Sequence, residues 1–154
     1  MCIDKKFVLL LFVICVICAI PGCEQERTSG VGLSLPQGDI ENGRLAFIDL
    51  GCNKCHKVNG VEMPEYVGET SVTLNLGGEV LKVKTYGELV TSIINPSHRF
   101  ALGYSDEEIK QNGESKMRLY NDEMTVAQLI DLVTFLQSHY QVKAYQPTPY
   151  MPYY

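Results

Sequence analysis

A chain of 154 residues carrying 18 acidic and 13 basic side chains, formal charge −5, has room for one folded domain with flanking segments and shows no sign of a second core. Its acidity argues against nucleic acid and anionic lipid surfaces as partners. Of its six cysteines, Cys2, Cys15, Cys18 and Cys23 fall in or at the end of the first apolar segment, which leaves one close pair, Cys52 and Cys55, in the body of the chain.

Residues 1–22 read as a signal peptide: Lys5 and Lys6, an apolar run from Phe7 to Ile20, then Pro21, Gly22 and Cys23. The run is shorter than the roughly 20 residues a helix needs to cross a bilayer core, so export is expected rather than a membrane span. Ile20, Pro21, Gly22 and Cys23 resemble the lipobox of bacterial lipoproteins, with Pro21 where a small or hydroxylated residue is usual. The resemblance implies lipidation of Cys23 as the first mature residue, holding the domain on the outer, periplasmic or extracytoplasmic face of a membrane at about 0.8 kcal/mol per buried methylene. Ordinary cleavage, or none, is the alternative. Losing Asp4, Lys5 and Lys6, one acid and two bases, takes the formal charge from −5 to −6. Residues 23–38, rich in Glu, Ser and Gly with Pro36 and without periodicity, predict a flexible tether.

From Asp39, a capping residue, the spacing of Ile40, Gly43, Ala46, Phe47 and Leu50 predicts a first helix ending near Gly51. Cys52-Asn53-Lys54-Cys55-His56 follows at once. Residues 71–84 alternate apolar and polar on both sides of Gly77-Gly78 and predict a β-hairpin. Thr85 with Glu88 predicts a capping box, with Leu89, Val90, Ile93 and Ile94 as the apolar stripe of a second helix that Pro96 ends. Residues 97–123 are polar and glycine-containing and predict a long functional loop with one helical turn after Ser105. Thr125 with Gln128 opens the most amphipathic helix, carrying Leu129, Leu132, Val133, Phe135 and Leu136 and expected to run to about Tyr140. Residues 142–154, rich in Pro and Tyr, read as an irregular tail around the domain at 39–141.

Cys-x-x-Cys-His is the attachment sequence of a c-type haem. Two cysteines three apart on a tight turn can both add to the haem vinyl groups, and the next residue, His56, then lies under the iron. A thioredoxin-like pair would want a strand before the motif, where a helix is expected. A zinc site would need two further ligands at matching spacing. A disulfide of so short a span would constrain little chain entropy. Cys15-Val-Ile-Cys18 is followed by Ala19 instead of histidine and fills the signal segment.

On this motif, its place after a first helix and the closing amphipathic helix, residues 39 to about 140 resemble class I c-type cytochromes. The resemblance implies a mainly α cytochrome c fold, with N- and C-terminal helices crossing through Gly43, Phe47 and Phe135, haem-covering loops, and the hairpin at Gly77-Gly78 as an insertion. It implies one covalent haem c per chain, held by Cys52 and Cys55, with His56 as proximal iron ligand and a methionine from the late loop as distal ligand. Met117, eight residues before Thr125, matches that placement, although Arg118 stands where the family often has proline. Met124 and His98 are the alternatives. Met63 follows His56 too closely and reads as packing, and His139 suits the end of the last helix through the helix dipole. Pro64 and Gly68 resemble the family loop whose carbonyl accepts from the proximal histidine. The resemblance implies a one-electron carrier rather than an enzyme, serving redox partner proteins or sitting as a subunit of a larger oxidoreductase. The alternative is a ligand-binding or catalytic haem protein, gas sensor or peroxidase-like, with a labile or open sixth site.

Overall fold

The computed structural model describes residues 33–68, 72–82 and 84–144. The expected signal peptide, Cys23 and most of the tether lie outside the described residues, as does the tail beyond 144. Helix α1, Ile40–Asp49, starts where Asp39 Oδ1 accepts from the Asn42 N–H at 2.8 Å and buries Gly43, Ala46 and Phe47. Gly51, at φ 71°, ends it, a left-handed position that costs glycine no side-chain clash.

Helix α2, Tyr86–Ile94, carries the Thr85–Glu88 capping box and buries Leu89, Val90 and Ile93. Pro96, with no N–H to give, turns the chain into a short 3₁₀ segment, Pro96–His98. A single turn, α3, spans Asp106–Ile109 behind Ser105, and helix α4, Val126–Ser138, opens on the Thr125–Gln128 box. Helix α4 stops two residues short of the expected end, with His139 as its cap.

Helices α1 and α4 cross at Gly43. A Cβ there would stand 2.1 Å from the Asp131 carbonyl oxygen and 2.6 Å from Phe135 Cβ, so only glycine lets the backbones meet. One turn on, the Phe47 and Phe135 rings pack edge to face with centroids 5.9 Å apart, a geometry worth about 0.5–1.5 kcal/mol beyond area burial. These rings join Leu89, Val90, Ile93, Leu132, Val133 and Leu136 in the core, where each fully buried side chain contributes about 1.5–3 kcal/mol.

The hairpin expected at Gly77-Gly78 does not form. Strand β1, His56–Val58, pairs in parallel with β2, Leu74–Leu76, while β3, Gly78–Val80, pairs in parallel with β6, Tyr140–Val142. Only Gly77 separates β2 from β3, too little for a reversing two-residue turn. The glycines serve close approach instead: a Cβ on Gly77 would lie 2.9 Å from the His139 carbonyl oxygen, and one on Gly78 would lie 2.6 Å from Asn59 Nδ2. A hairpin does occur in the late loop, where β4, Lys110–Gln111, and β5, Glu114–Ser115, are joined by Asn112 at φ 56° and Gly113 at φ 83°.

Ordered contacts reach beyond the expected 39–141 boundaries. Leu35 packs on the core, the Gly38 N–H donates to Thr134 Oγ1 at 3.2 Å, and Lys143 N–H donates to the Val80 carbonyl at 2.9 Å. Among the described residues no helix is long and apolar enough to cross a membrane.

Candidate functional site

The end of α1 sets the site. Gly51 turns the chain into a single 3₁₀ turn, Cys52–Lys54, closed by Lys54 N–H to the Gly51 carbonyl and Cys55 N–H to the Cys52 carbonyl, both 3.2 Å. Cys52 and Cys55 flank this turn as free, half-buried thiols, and Cys52 packs against the core. The Leu74 N–H donates to the Cys55 carbonyl at 2.8 Å, which pins the exit of the motif to β2 and leads His56 into β1 opposite Leu74.

The electrostatics of Cys52 and His56 bear on the rival readings. Burial pushes the Cys52 thiol up to about 11, with the Cys55 charge adding to it, so it is protonated at neutral pH. A redox-exchange pair needs the opposite, a thiol pulled down toward the thiolate. Burial also holds the His56 imidazole below its ordinary pKa, against a weaker pull from the Leu74 backbone, which keeps it in the neutral form able to ligate a metal. His56 Nδ1 is sealed from water and has no hydrogen-bond partner, a condition that costs about 1–3 kcal/mol for a buried polar group. Two free thiols on one tight turn and a neutral, underused imidazole fit a covalently held haem. Among the described residues no three His, Cys, Asp or Glu side chains converge to hold a metal ion by themselves, whereas a porphyrin asks the protein only for axial ligands.

In the loop expected to face His56, Pro64 O accepts from Asn53 Nδ2 at 3.1 Å. That bond ties the motif turn to the loop behind it. Gly68 lies against the Tyr66 ring, where a Cβ would come within 2.4 Å of it.

The late loop also borders the motif turn. Met117 is half-buried, and its N–H donates to Ser115 Oγ at 3.2 Å. Three residues on, Tyr120 is buried, and its carbonyl accepts from the N–H groups of Glu123 (3.0 Å) and Met124 (2.8 Å). Burial raises the Tyr120 hydroxyl pKa, the Cys52 and Cys55 charges add to the rise, and Arg118 opposes it. Arg118 and Glu123 also share an open depression of about 370 Å³ with Gly51, Asn53 and Lys54. The loop of Met117 therefore meets the Cys-x-x-Cys-His turn.

Of the alternative ligands, Met124 packs on the same core as Cys52 and its N–H donates to the Tyr120 carbonyl, whereas His98 faces the Asn95 carbonyl. Met124 and Leu129, the residue four on from its cap, both border the core, as does Met63. His98 is exposed with Nδ1 held 2.8 Å from the Asn95 carbonyl oxygen. His139 lies with its ring centroid 4.8 Å from that of Phe135 and Nδ1 2.8 Å from the Phe135 carbonyl oxygen. Sequence reasoning missed Tyr120 and Asn53, because a lone tyrosine in a polar loop and an asparagine between two cysteines carry no periodic signal. No family model, curated protein or solved structure matches the chain.

Proposed function

We propose that this chain is a one-electron carrier on the class I cytochrome c plan, whose single haem c would be held covalently by Cys52 and Cys55 and ligated by His56 and Met117. The observation that carries this reading is the continuous unit at the end of α1: two free thiols on one turn, followed by an imidazole whose buried Nδ1 has no partner. When bound, the haem supplies a reversible one-electron couple at iron.

The residues around it do the rest. Cys52 and Cys55 fix the group by two covalent bonds, so no affinity for free haem is needed. The β1–β2 pairing fixes the backbone of His56 opposite Leu74. Met117, a soft thioether, would favour the ferrous state and leave the iron no open position for substrate. The core residues of α1 and α4 keep water away, which disfavours the extra charge of the ferric state.

Exported and tethered through a lipid on Cys23, the domain would meet redox partner proteins at a membrane surface, and its acidic charge suits a cationic docking patch on them. One feature favours the second reading, a ligand-binding haem: Arg118 stands after Met117 in place of a stiffening proline.

The test is the intact mass of the full chain exported from a host that attaches c-type haem. The account predicts one haem that survives acid denaturation, and loss of covalent attachment in the Cys52→Ser, Cys55→Ser double variant. A wild-type chain without covalent haem overturns it.

A further inference from the structure

The segment after Met117 is held in an unusual way. Its pivot is Tyr120, a residue 8% exposed whose carbonyl takes two N–H bonds, from Glu123 and Met124. The Arg118 guanidinium carbon sits 4.7 Å from the centre of that ring, and the same guanidinium pairs with the Glu123 carboxylate. Downstream, Asn121 Nδ2 donates to the Ile94 carbonyl at 3.0 Å. Upstream, Met117 has the single bond to Ser115 Oγ, while Lys116 is fixed to Ile109 and Glu107 through its N–H and its ammonium. The stretch from Met117 to Tyr120 is thus closed by a clamp of Arg118, Tyr120 and Glu123. The clamp faces solvent, because the Arg118 and Glu123 side chains are 56% and 57% exposed.

We propose that this clamp sets how tightly Met117 holds the sixth position on the iron, so that weakening it trades the closed electron carrier for an open state that binds small external ligands. The inference rests on the haem reading above. Its physical basis is competition: an external ligand gains access only in conformers where Met117 has left, and its apparent affinity scales with their population. An exposed ion pair and a cation–π contact each hold only weakly, and salt screens the pair. Because no proline stiffens the backbone after Met117, the clamp supplies the restraint. Closed and open populations therefore shift by about three- to thirty-fold when it is removed. High salt shifts them in the same direction by less.

The experiment titrates the ferric holoprotein with imidazole, followed by its optical spectrum, at low and high salt. It uses the wild type, Arg118→Ala, Glu123→Gln and Met117→Leu. The expected results are a rise of about three- to thirty-fold in apparent affinity for Arg118→Ala at low salt, a smaller rise for Glu123→Gln, and a wild-type affinity that rises with salt while that of Arg118→Ala stays level. Faster amide exchange at Glu123 and Met124 in Arg118→Ala, with helix content unchanged, accompanies them. If Met117→Leu opens the site but Arg118→Ala binds imidazole as the wild type does, the clamp is overturned and the haem reading stands. If Met117→Leu itself leaves spectrum and affinity unchanged, the clamp and the Met117 assignment both fall, and the covalent haem at Cys52 and Cys55 stands with another sixth ligand. The wild-type salt dependence decides the matter even where a variant does not fold, and a flat response overturns the clamp.

Discussion

The carboxylate of Glu88 has several partners at the start of α2. It accepts from the Thr85 N–H at 3.0 Å and pairs with Arg99 at 3.3 Å. The Thr85 backbone bond is the chief reason its pKa lies below the ordinary 4.5; Arg99 and Lys82 add to that and burial opposes it. Glu108 is lowered chiefly by the backbone bond from Ser105, and Glu41 by its hydrogen bond to Arg44. A carboxylate with a depressed folded pKa contributes stability that is present above the unfolded value and is lost as pH falls through the folded one. The domain should therefore lose stability on acidification below about pH 4.5. Glu88→Gln keeps the reach of the capping box, so its denaturant midpoint should fall less steeply in acid than that of the wild type. An unchanged acid limb would contradict the assignment. At the same scale, the Cys-x-x-Cys-His motif could be read from sequence because its chemistry depends on spacing alone. The burial that raises the Cys52 pKa and leaves His56 Nδ1 unpaired comes from β1, β2 and the core, which no local pattern shows.

Among elements, the α1–α4 crossing is the joint on which the site hangs, since α1 ends at the motif and α4 follows the Met117 loop. Gly43→Ala should raise the intrinsic helix propensity of α1 by about 1 kcal/mol, yet the added methyl meets the backbone of Asp131, which cannot rotate away. Overpacking costs about 1–3 kcal/mol, so net destabilisation in denaturant unfolding is the expected sign, and a stabilised variant would contradict the close approach. The helices were legible because their signals are local: Asp39, Thr85 with Glu88 and Thr125 with Gln128 cap what the apolar spacing predicts. The strands were not. Alternation around Gly77-Gly78 is equally compatible with any partner, and the actual partners, His56–Val58 and Tyr140–Val142, lie far along the chain and pair over three residues each. The Asn112-Gly113 turn did have a signal, since that dipeptide favours two successive positive φ angles, but only two residues on each side pair and no alternation frames it.

For the whole molecule, the late loop changes meaning once its contacts are known. It read as polar cover, but Ile109 and Tyr120 are buried, Ser115 N–H is held by Ser97 Oγ at 3.0 Å, and Asn121 reaches back to α2. The segment that carries Met117 is therefore built into the domain next to the motif turn. The account predicts a site closed on both sides by the protein, with His56 and Met117 as the groups that close it. The most direct measurement is the optical spectrum of the full exported chain, reduced, at low salt, with and without carbon monoxide. Sharp c-type bands that carbon monoxide leaves in place are predicted. Bands that shift would contradict the closed His56 and Met117 pair, and a chain carrying no bound haem would contradict the account as a whole.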